Sequence, residues 1–236
     1  METLYYNLQD PPQWDPQPED LPSDSGAVLV MRHSVRYPMV AGQFGTQIEL
    51  TPSGIERAND LGRTWGSRIQ KVSSSSSFRC IKTGEQIILG AGLNATTLHN
   101  PPLGEPGAYI NQSEKAIDTM KEQGPIELVN TLLRGDPLPG HIDAVEGSRI
   151  ILQSFFSEHS PKGTIRIEVT HDTILAALIY HLRGLTSITE KDWPRMLEGA
   201  LLWREEEKIC WKWRGDEGSR KITMQNPLRT TPSPRH

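Results

Sequence analysis

From Gly26 onward the chain alternates short apolar, β-branched runs with longer segments of helical period. This alternation constrains the fold more than any other feature, because such a sequence buries its apolar faces best as helices layered on a sheet. Ala27–Met31 and Val72–Ser76 read as strands, and Thr164–Thr170 alternates as a third. Leu201–Arg204 and Lys208–Trp213 read as a hairpin joined through Glu205-Glu206-Glu207. Helical period runs through Pro52–Gln70, with Thr51 as N-cap and Pro52 at the first helical position. It recurs in Phe78–Leu89, Ser113–Gln123, Ile126–Arg134, His141–His159 and Asp172–Leu182. The expectation is an α/β fold with a sheet that is parallel at least in part.

The flanks differ from this body. Residues 1–24 are rich in proline and acids and cannot pack a core, so they read as an extended leader. Residues 216–236 read as a polar tail, and the chain after Arg214 is expected to be mobile. The 25–215 segment between them suits one domain, since 236 residues bury one sizeable core.

Composition removes several classes of function. A net charge of −4 recommends no nucleic-acid surface. No apolar stretch approaches the roughly 18–20 residues of a membrane span. The N-terminus lacks the layout of a signal peptide, so a cytoplasmic location is expected. Cys80 and Cys210 do not make a disulfide framework, and a reduced state is the default. Asn94-Ala-Thr96 and Asn111-Gln-Ser113 match the glycosylation pattern, which carries no meaning without secretion.

Several motifs fail on context. Gly90-Ala-Gly92-Leu-Asn-Ala95 fits a loose dinucleotide fingerprint, but Thr96, Thr97 and Pro101-Pro102 follow where a helix should start. A helix C-terminus capped by glycine fits better. There is no phosphate loop of the Gly-Lys-Ser/Thr type and no Gly-x-Ser-x-Gly elbow. A Cys-x5-Arg phosphatase loop fails at both cysteines, because Gln86 and Asp216 stand where the arginine is needed. No histidine pair at i, i+4 with an adjacent Glu supports a zinc hydrolase, and nothing calls for a cofactor or metal.

Four segments carry chemistry. Met31-Arg32-His33-Ser34-Val35-Arg36 directly follows the first strand, a position where α/β sheets build their sites. Leu50-Thr51-Pro-Ser-Gly54-Ile-Glu-Arg57-Ala58 comes next, then Ser75-Ser-Ser-Phe-Arg79-Cys-Ile-Lys-Thr83. Val169-Thr170-His171-Asp172-Thr173 follows the third strand. In this order they resemble the histidine phosphatase superfamily, which joins phosphoglycerate mutases and histidine acid phosphatases. The resemblance covers roughly residues 26–215. It implies a three-layer α/β/α sandwich with a mostly parallel central sheet, phosphoglycerate mutase-like, in which residues of about 98–140 form a cap insertion.

The implied chemistry is metal-independent phosphomonoester hydrolysis. His33 would be the nucleophile, attacking phosphorus as a neutral imidazole to give a phosphohistidine. Arg32, Arg36 and Arg79 would cradle the phosphoryl oxygens, a task suited to a planar, permanently charged fork. His171 would be a further donor to those oxygens, and Arg57 is left outside the site as a helix residue. The sequence departs from the family at Ser34, where glycine is usual; its hydroxyl would either donate to phosphate or narrow the pocket. The His171-Asp172 dipeptide and Arg36-Tyr-Pro38 resemble the acid-phosphatase branch, in which Asp172 protonates the leaving group. Leu103-Gly-Glu105-Pro-Gly107 echoes the mutase branch and makes Glu105 the alternative proton donor. An Asp among arginines acts as an acid at neutral pH only if burial raises its pKa; otherwise activity peaks in acid. The partner expected is a small phosphorylated substrate, with homodimerisation left open. Two other readings stand beside hydrolysis: a mutase that returns phosphate to product, and a phosphate-ligand scaffold that kept the pocket without turnover.

Overall fold

The computed structural model describes residues 11–38, 47–104 and 106–222. The strands are β1 (Ala27–Arg32), β2 (Ile69–Ser74), β3 (Leu98–His99), β4 (Ile165–Thr170), β5 (Gly199–Glu205), β6 (Lys208–Trp213) and β7 (Asp216–Lys221). They form one sheet in the order β3-β2-β4-β1-β5-β6-β7. Pairings among β3, β2, β4 and β1 are parallel, and those from β1 through β5 and β6 to β7 are antiparallel. The sheet is therefore mixed, with its parallel half on the side that carries β1 and β4.

Among the described residues five α-helices cover it: α1 (Pro52–Trp65), α2 (Phe78–Gly90), α3 (Ser113–Arg134), α4 (Ala144–Phe155) and α5 (Asp172–Leu182). Strand side chains alternate between faces, and the two halves of β1 show it. Ala27, Leu29 and Met31 pack with Trp65 of α1 and Ile87 of α2, while Val28 and Val30 pack with Leu132, Ile151 and Leu175 of α3, α4 and α5. The result is the three-layer α/β/α arrangement.

Element boundaries moved for local reasons. The first helix stops at Trp65 rather than Gln70, because Gly66 adopts φ +49° and Ile69 pairs with Ile165 as the start of β2. The helix expected over His141–His159 shortens to Ala144–Phe155, with Asp143 Oδ1 accepting from Glu146 N as its cap. The two helical segments expected on either side of Gly124-Pro125 are both present along α3, and Gly124, at φ +74°, leaves helical geometry and kinks the chain between them. Gly92, at φ +66°, closes the end of α2 rather than opening a dinucleotide loop.

Both flanks need correction. The chain after Arg214 is not a tail from its first residue: Asp216–Lys221 pairs along the full length of β6. The leader also touches the core. Trp14 and Leu21 pack against the α1–α2 layer, Asp20 pairs with Lys212 at 2.8 Å, and Gln13 N donates to buried Glu198. Between these contacts Pro18–Asp20 form a 3-10 turn with proline at its first position.

The helix α1 approaches the loop after β1 at its backbone. A Cβ on Gly54 would lie 2.0 Å from the Val35 carbonyl oxygen. Gly54→Ala should therefore lower the unfolding free energy by about 1–3 kcal/mol, the usual cost of forcing atoms into a filled contact. Denaturant titration of the variant against the parent protein measures it.

Candidate active site

Strand register builds the site. Arg32 at the end of β1 lies opposite Thr170 at the end of β4, so the next residues, His33 and His171, leave the sheet side by side. Their ring centroids are 5.9 Å apart. β2 flanks β4 on its other side, and the turn after it brings Ser75 to His171 and Arg79, in the first turn of α2, to the same ring. Asp172 opens α5, where the positive end of the helix dipole favours a carboxylate.

His33 is 2 % exposed, and its Nδ1 lies 2.8 Å from the Ser34 carbonyl oxygen. A carbonyl only accepts, so Nδ1 carries the proton and Nε2 carries the lone pair. Burial, then the charges of Arg79 and Arg32, then His171, hold its pKa well below the ordinary histidine range. A neutral imidazole with Nε2 unprotonated is the form a nucleophile needs.

His171 is also buried and neutral. Burial and Arg79 depress its pKa, against a smaller opposing pull from Asp172. Arg79 Nη2 lies 2.9 Å from His171 Nδ1. Arginine cannot accept, so Nδ1 is the acceptor and the ring proton sits on Nε2, which donates to Ser75 Oγ at 2.9 Å. The donor proton expected to face phosphate is thus directed at Ser75 in this state.

Asp172 pairs with Arg32, Oδ2 to Nη2 at 2.6 Å, and its Oδ1 accepts from Thr173 N at 2.9 Å. Trp193 Nε1 lies 3.4 Å from Oδ2. Burial raises the Asp172 pKa, but Arg32, His171, the Thr173 amide and Arg36 together outweigh it and leave it below the ordinary carboxyl range. At neutral pH this group is a carboxylate. Arg36 is 5 % exposed and donates to the Tyr37 carbonyl at 2.9 Å, while its charge acts on both His171 and Asp172.

Arg32, His33, Arg36, Arg79, His171 and Asp172 thus share one cluster. Ser34 does not add a donor to it. Its hydroxyl donates to the Gly54 carbonyl at 2.7 Å and its amide to Thr83 Oγ1 at 3.0 Å, so its side chain ties the loop to α1 and its backbone ties it to α2. Glu105 lies outside the described residues. Among the described residues no group of three or more His, Cys, Asp or Glu is placed to hold a metal ion. No described helix is long and apolar enough to cross a membrane.

Sequence reasoning missed the loop 193–198. Arg32 Nη1 donates to the Pro194 carbonyl at 2.6 Å, and Leu197, at φ +60°, donates its amide to the His33 carbonyl at 3.3 Å. Fully buried Glu198 anchors this loop through a two-pronged pair with Arg214, both contacts at 2.8 Å. No periodicity or spacing marks these residues. Ser75 had a signal, the serine run before Arg79, but nothing in the run distinguishes one hydroxyl from the next.

The architecture matches solved structures of low sequence identity. A phosphoserine phosphatase from Entamoeba histolytica, in complex with phosphoserine, superposes with a TM-score of 0.56 at 14% identity, covering 82% of this chain and 94% of that one. A mycobacterial glucosyl-3-phosphoglycerate phosphatase bound to a vanadium oxide gives 0.54 at 16% identity, covering 84% and 99%. A structure described as mycobacterial hydrolase 2 gives 0.55 at 16% identity, covering 83% and 93%. No protein-family model matches the sequence, and no curated protein matches it either. The likeness is one of fold, and it bears out the phosphoglycerate mutase-like architecture expected from the sequence.

Because the Ser34 hydroxyl is committed to Gly54, Ser34→Ala should leave the affinity for inorganic phosphate within about twofold. It should cost about 0.5–1.5 kcal/mol of stability by removing one buried hydrogen bond. Calorimetric phosphate titration together with urea unfolding distinguishes this outcome from loss of a phosphate donor.

Proposed function

We propose that this chain, whose fold is that of the histidine phosphatases, is a metal-independent phosphomonoesterase working through a phosphohistidine at His33. The observation that carries the reading is the state of His33: buried, uncharged, its Nδ1–H held by the Ser34 carbonyl and its Nε2 lone pair left for attack among arginines. Nε2 attacks phosphorus, the P–O bond to the leaving group breaks, and the leaving oxygen takes a proton to depart as an alcohol. Water then attacks the phosphohistidine, the P–N bond breaks, and inorganic phosphate leaves with the imidazole restored. Arg32, Arg36 and Arg79 hold the nonbridging oxygens throughout, where charge fixed in advance lowers the barrier most.

Asp172 is the proton donor in this reading, and its ion pair with Arg32 has a consequence. A phosphate dianion competes with the carboxylate for Arg32 and places like charge beside it. Both effects raise the Asp172 pKa from its depressed starting value, so the acid forms as substrate binds. Phosphatases among the structural neighbours, of quite different named substrates, are consistent with hydrolysis as the reaction class.

His33→Ala should lose at least ~10³-fold in kcat, as removal of a nucleophile does. Rapid quench of the parent enzyme with labelled substrate should trap an acid-labile, alkali-stable phosphoryl-enzyme. Dialysis against a chelator should leave the rate unchanged. Near-normal turnover by His33→Ala contradicts the mechanism.

The pH dependence follows from two depressed pKa values. His33 stays neutral well below pH 6.5, so the nucleophile survives acidification. Asp172 gains its proton only as pH falls. The kcat/KM for alkyl phosphates should therefore rise from about pH 7.5 to about pH 5. Asp172→Asn should cut alkyl phosphate hydrolysis by roughly 10²–10⁴-fold, abolish that rise, and largely spare nitrophenyl phosphate, whose leaving group needs no proton. If Glu105→Gln shows this leaving-group penalty and Asp172→Asn does not, Glu105 is the donor.

A further inference from the structure

Buried Ser75 takes no part in the chemistry described so far, yet it ends a chain of hydrogen bonds that begins at Arg79. Arg79 Nη2 donates to His171 Nδ1 at 2.9 Å, and His171 Nε2 donates to Ser75 Oγ at 2.9 Å. The Ser75 hydroxyl oxygen also accepts from the Ser77 amide at 3.3 Å. Ser75 N donates to the Val169 carbonyl at 3.0 Å, so the oxygen that receives the His171 proton is tied to the strand leading into that histidine. Cys80 Sγ lies 3.8 Å from Nε2, but its thiol donates to the Thr170 carbonyl at 3.5 Å and sulfur is a weak acceptor.

This arrangement decides how His171 can serve an anion. Arg79 stands at Nδ1, so an anion held by Arg79 meets the bare nitrogen of the ring. Lone pairs repel there unless Nδ1 carries a proton. The ring has two ways to supply one. It can lose the proton on Nε2 and regain one on Nδ1, staying neutral, or it can keep Nε2–H and add a second proton from solvent. The first route leaves Nε2 bare against Ser75 and offers the anion a neutral donor. The second keeps the bond to Ser75, now donated by a cation, and charge-assisted bonds are about twice as strong as neutral ones. It also sets a positive charge directly beside the anion.

The groups acting on the ring are Arg79 from α2, Asp172 from α5, and Arg32 and Arg36 from the end of β1 and the loop after it, with the His33 ring 5.9 Å away. Burial, then Arg79, hold the pKa down to about 3; Asp172 opposes them, and Arg32 and Arg36 add to the depression. An anion on the arginines cancels like charge and lifts that value.

We propose that Ser75 is a positioning residue for His171. By keeping the Nε2 proton on its hydroxyl oxygen, it leaves Nδ1 as the nitrogen that gains a proton, so that a tetrahedral dianion binds together with one proton taken up from solvent at Nδ1 and returned when the anion leaves. The inference deepens the phosphomonoesterase reading and rests on its anion site among the arginines.

Sulfate is the probe, because it is not turned over and carries no proton of its own near neutral pH. Nitrogen NMR of the His171 ring should show a proton on Nε2 alone in the unbound protein, and on both nitrogens in the sulfate complex at about pH 6. Calorimetric sulfate affinity should strengthen as pH falls and weaken as pH rises through the raised pKa, since binding takes up a proton. Ser75→Ala removes the acceptor from the cation. In its sulfate complex His171 should become cationic only about one pH unit lower, and sulfate should bind about tenfold more weakly at pH 6. A residue that only supported the fold would leave the ring titration where it is. A parent complex in which His171 is neutral with its proton on Nδ1 overturns the inference. So does a His171 signal that sulfate never moves, or a Ser75→Ala ring that titrates where the parent ring does. A cationic ring that depends on Ser75, with no turnover of any phosphomonoester, overturns the phosphomonoesterase reading and leaves this one standing.

Discussion

Bringing several arginines to one buried point is the constraint on which the rest of this structure depends. Like charges gathered away from water repel strongly, and the arrangement persists only if nearby groups adjust. Arg32, Arg36 and Arg79 are tolerated because both histidines between them stay uncharged and Asp172 stays ionised. One electrostatic condition thus accompanies an unprotonated ring nitrogen on His33 and an ionised carboxylate on Asp172 among the arginines. Within the site, Asp172 stands against Arg32 and His171 Nδ1 accepts from Arg79, the contacts that phosphoryl oxygens would replace in the proposed mechanism.

Holding these groups in place falls to a second network. The loop 193–198 supplies the carbonyl that fixes Arg32 and the indole that faces Asp172. Glu198, with no exposure to solvent, ties that loop to Arg214 at the end of β6, and the leader caps the same carboxylate through Gln13. Segments far apart in sequence therefore share one task. The antiparallel half of the sheet, which contributes no residue to the cluster around His33 and His171, helps hold Arg32 through Arg214, Glu198 and the Pro194 carbonyl.

Elements with strong local patterns were legible in the sequence. The apolar, β-branched run Ala27–Met31 could hardly be anything but a buried strand, and Thr51-Pro52 starts a helix by capping chemistry alone. The strand ends that carry Arg32-His33 and His171-Asp172 were legible too, while the pairing of β1 with β4 that sets them side by side was not. What was not legible depends on tertiary context. Asp216–Lys221 is polar and without alternation, and it becomes a strand because β6 offers a free edge and Gly218 admits the Trp211 ring, which a Cβ would meet at 2.4 Å. The α1 boundary turns on the backbone of Gly66, invisible to periodicity. Ser34 stands where the family that the sequence resembles has glycine and invites a ligand role, yet only the approach of Gly54 decides where its proton goes. Trp193 and Pro194 reach the site from a loop with no motif at all.

The central claim is the protonation state of His33, and nitrogen NMR of the imidazole reads it directly. Long-range proton–nitrogen correlation on histidine-labelled protein near pH 7 should show a neutral His33 ring with the proton on Nδ1 and an unprotonated Nε2. The phosphorylated enzyme should then show phosphorus–nitrogen coupling to Nε2. A His33 ring that is cationic at that pH, or that carries its proton on Nε2, contradicts the account at its root.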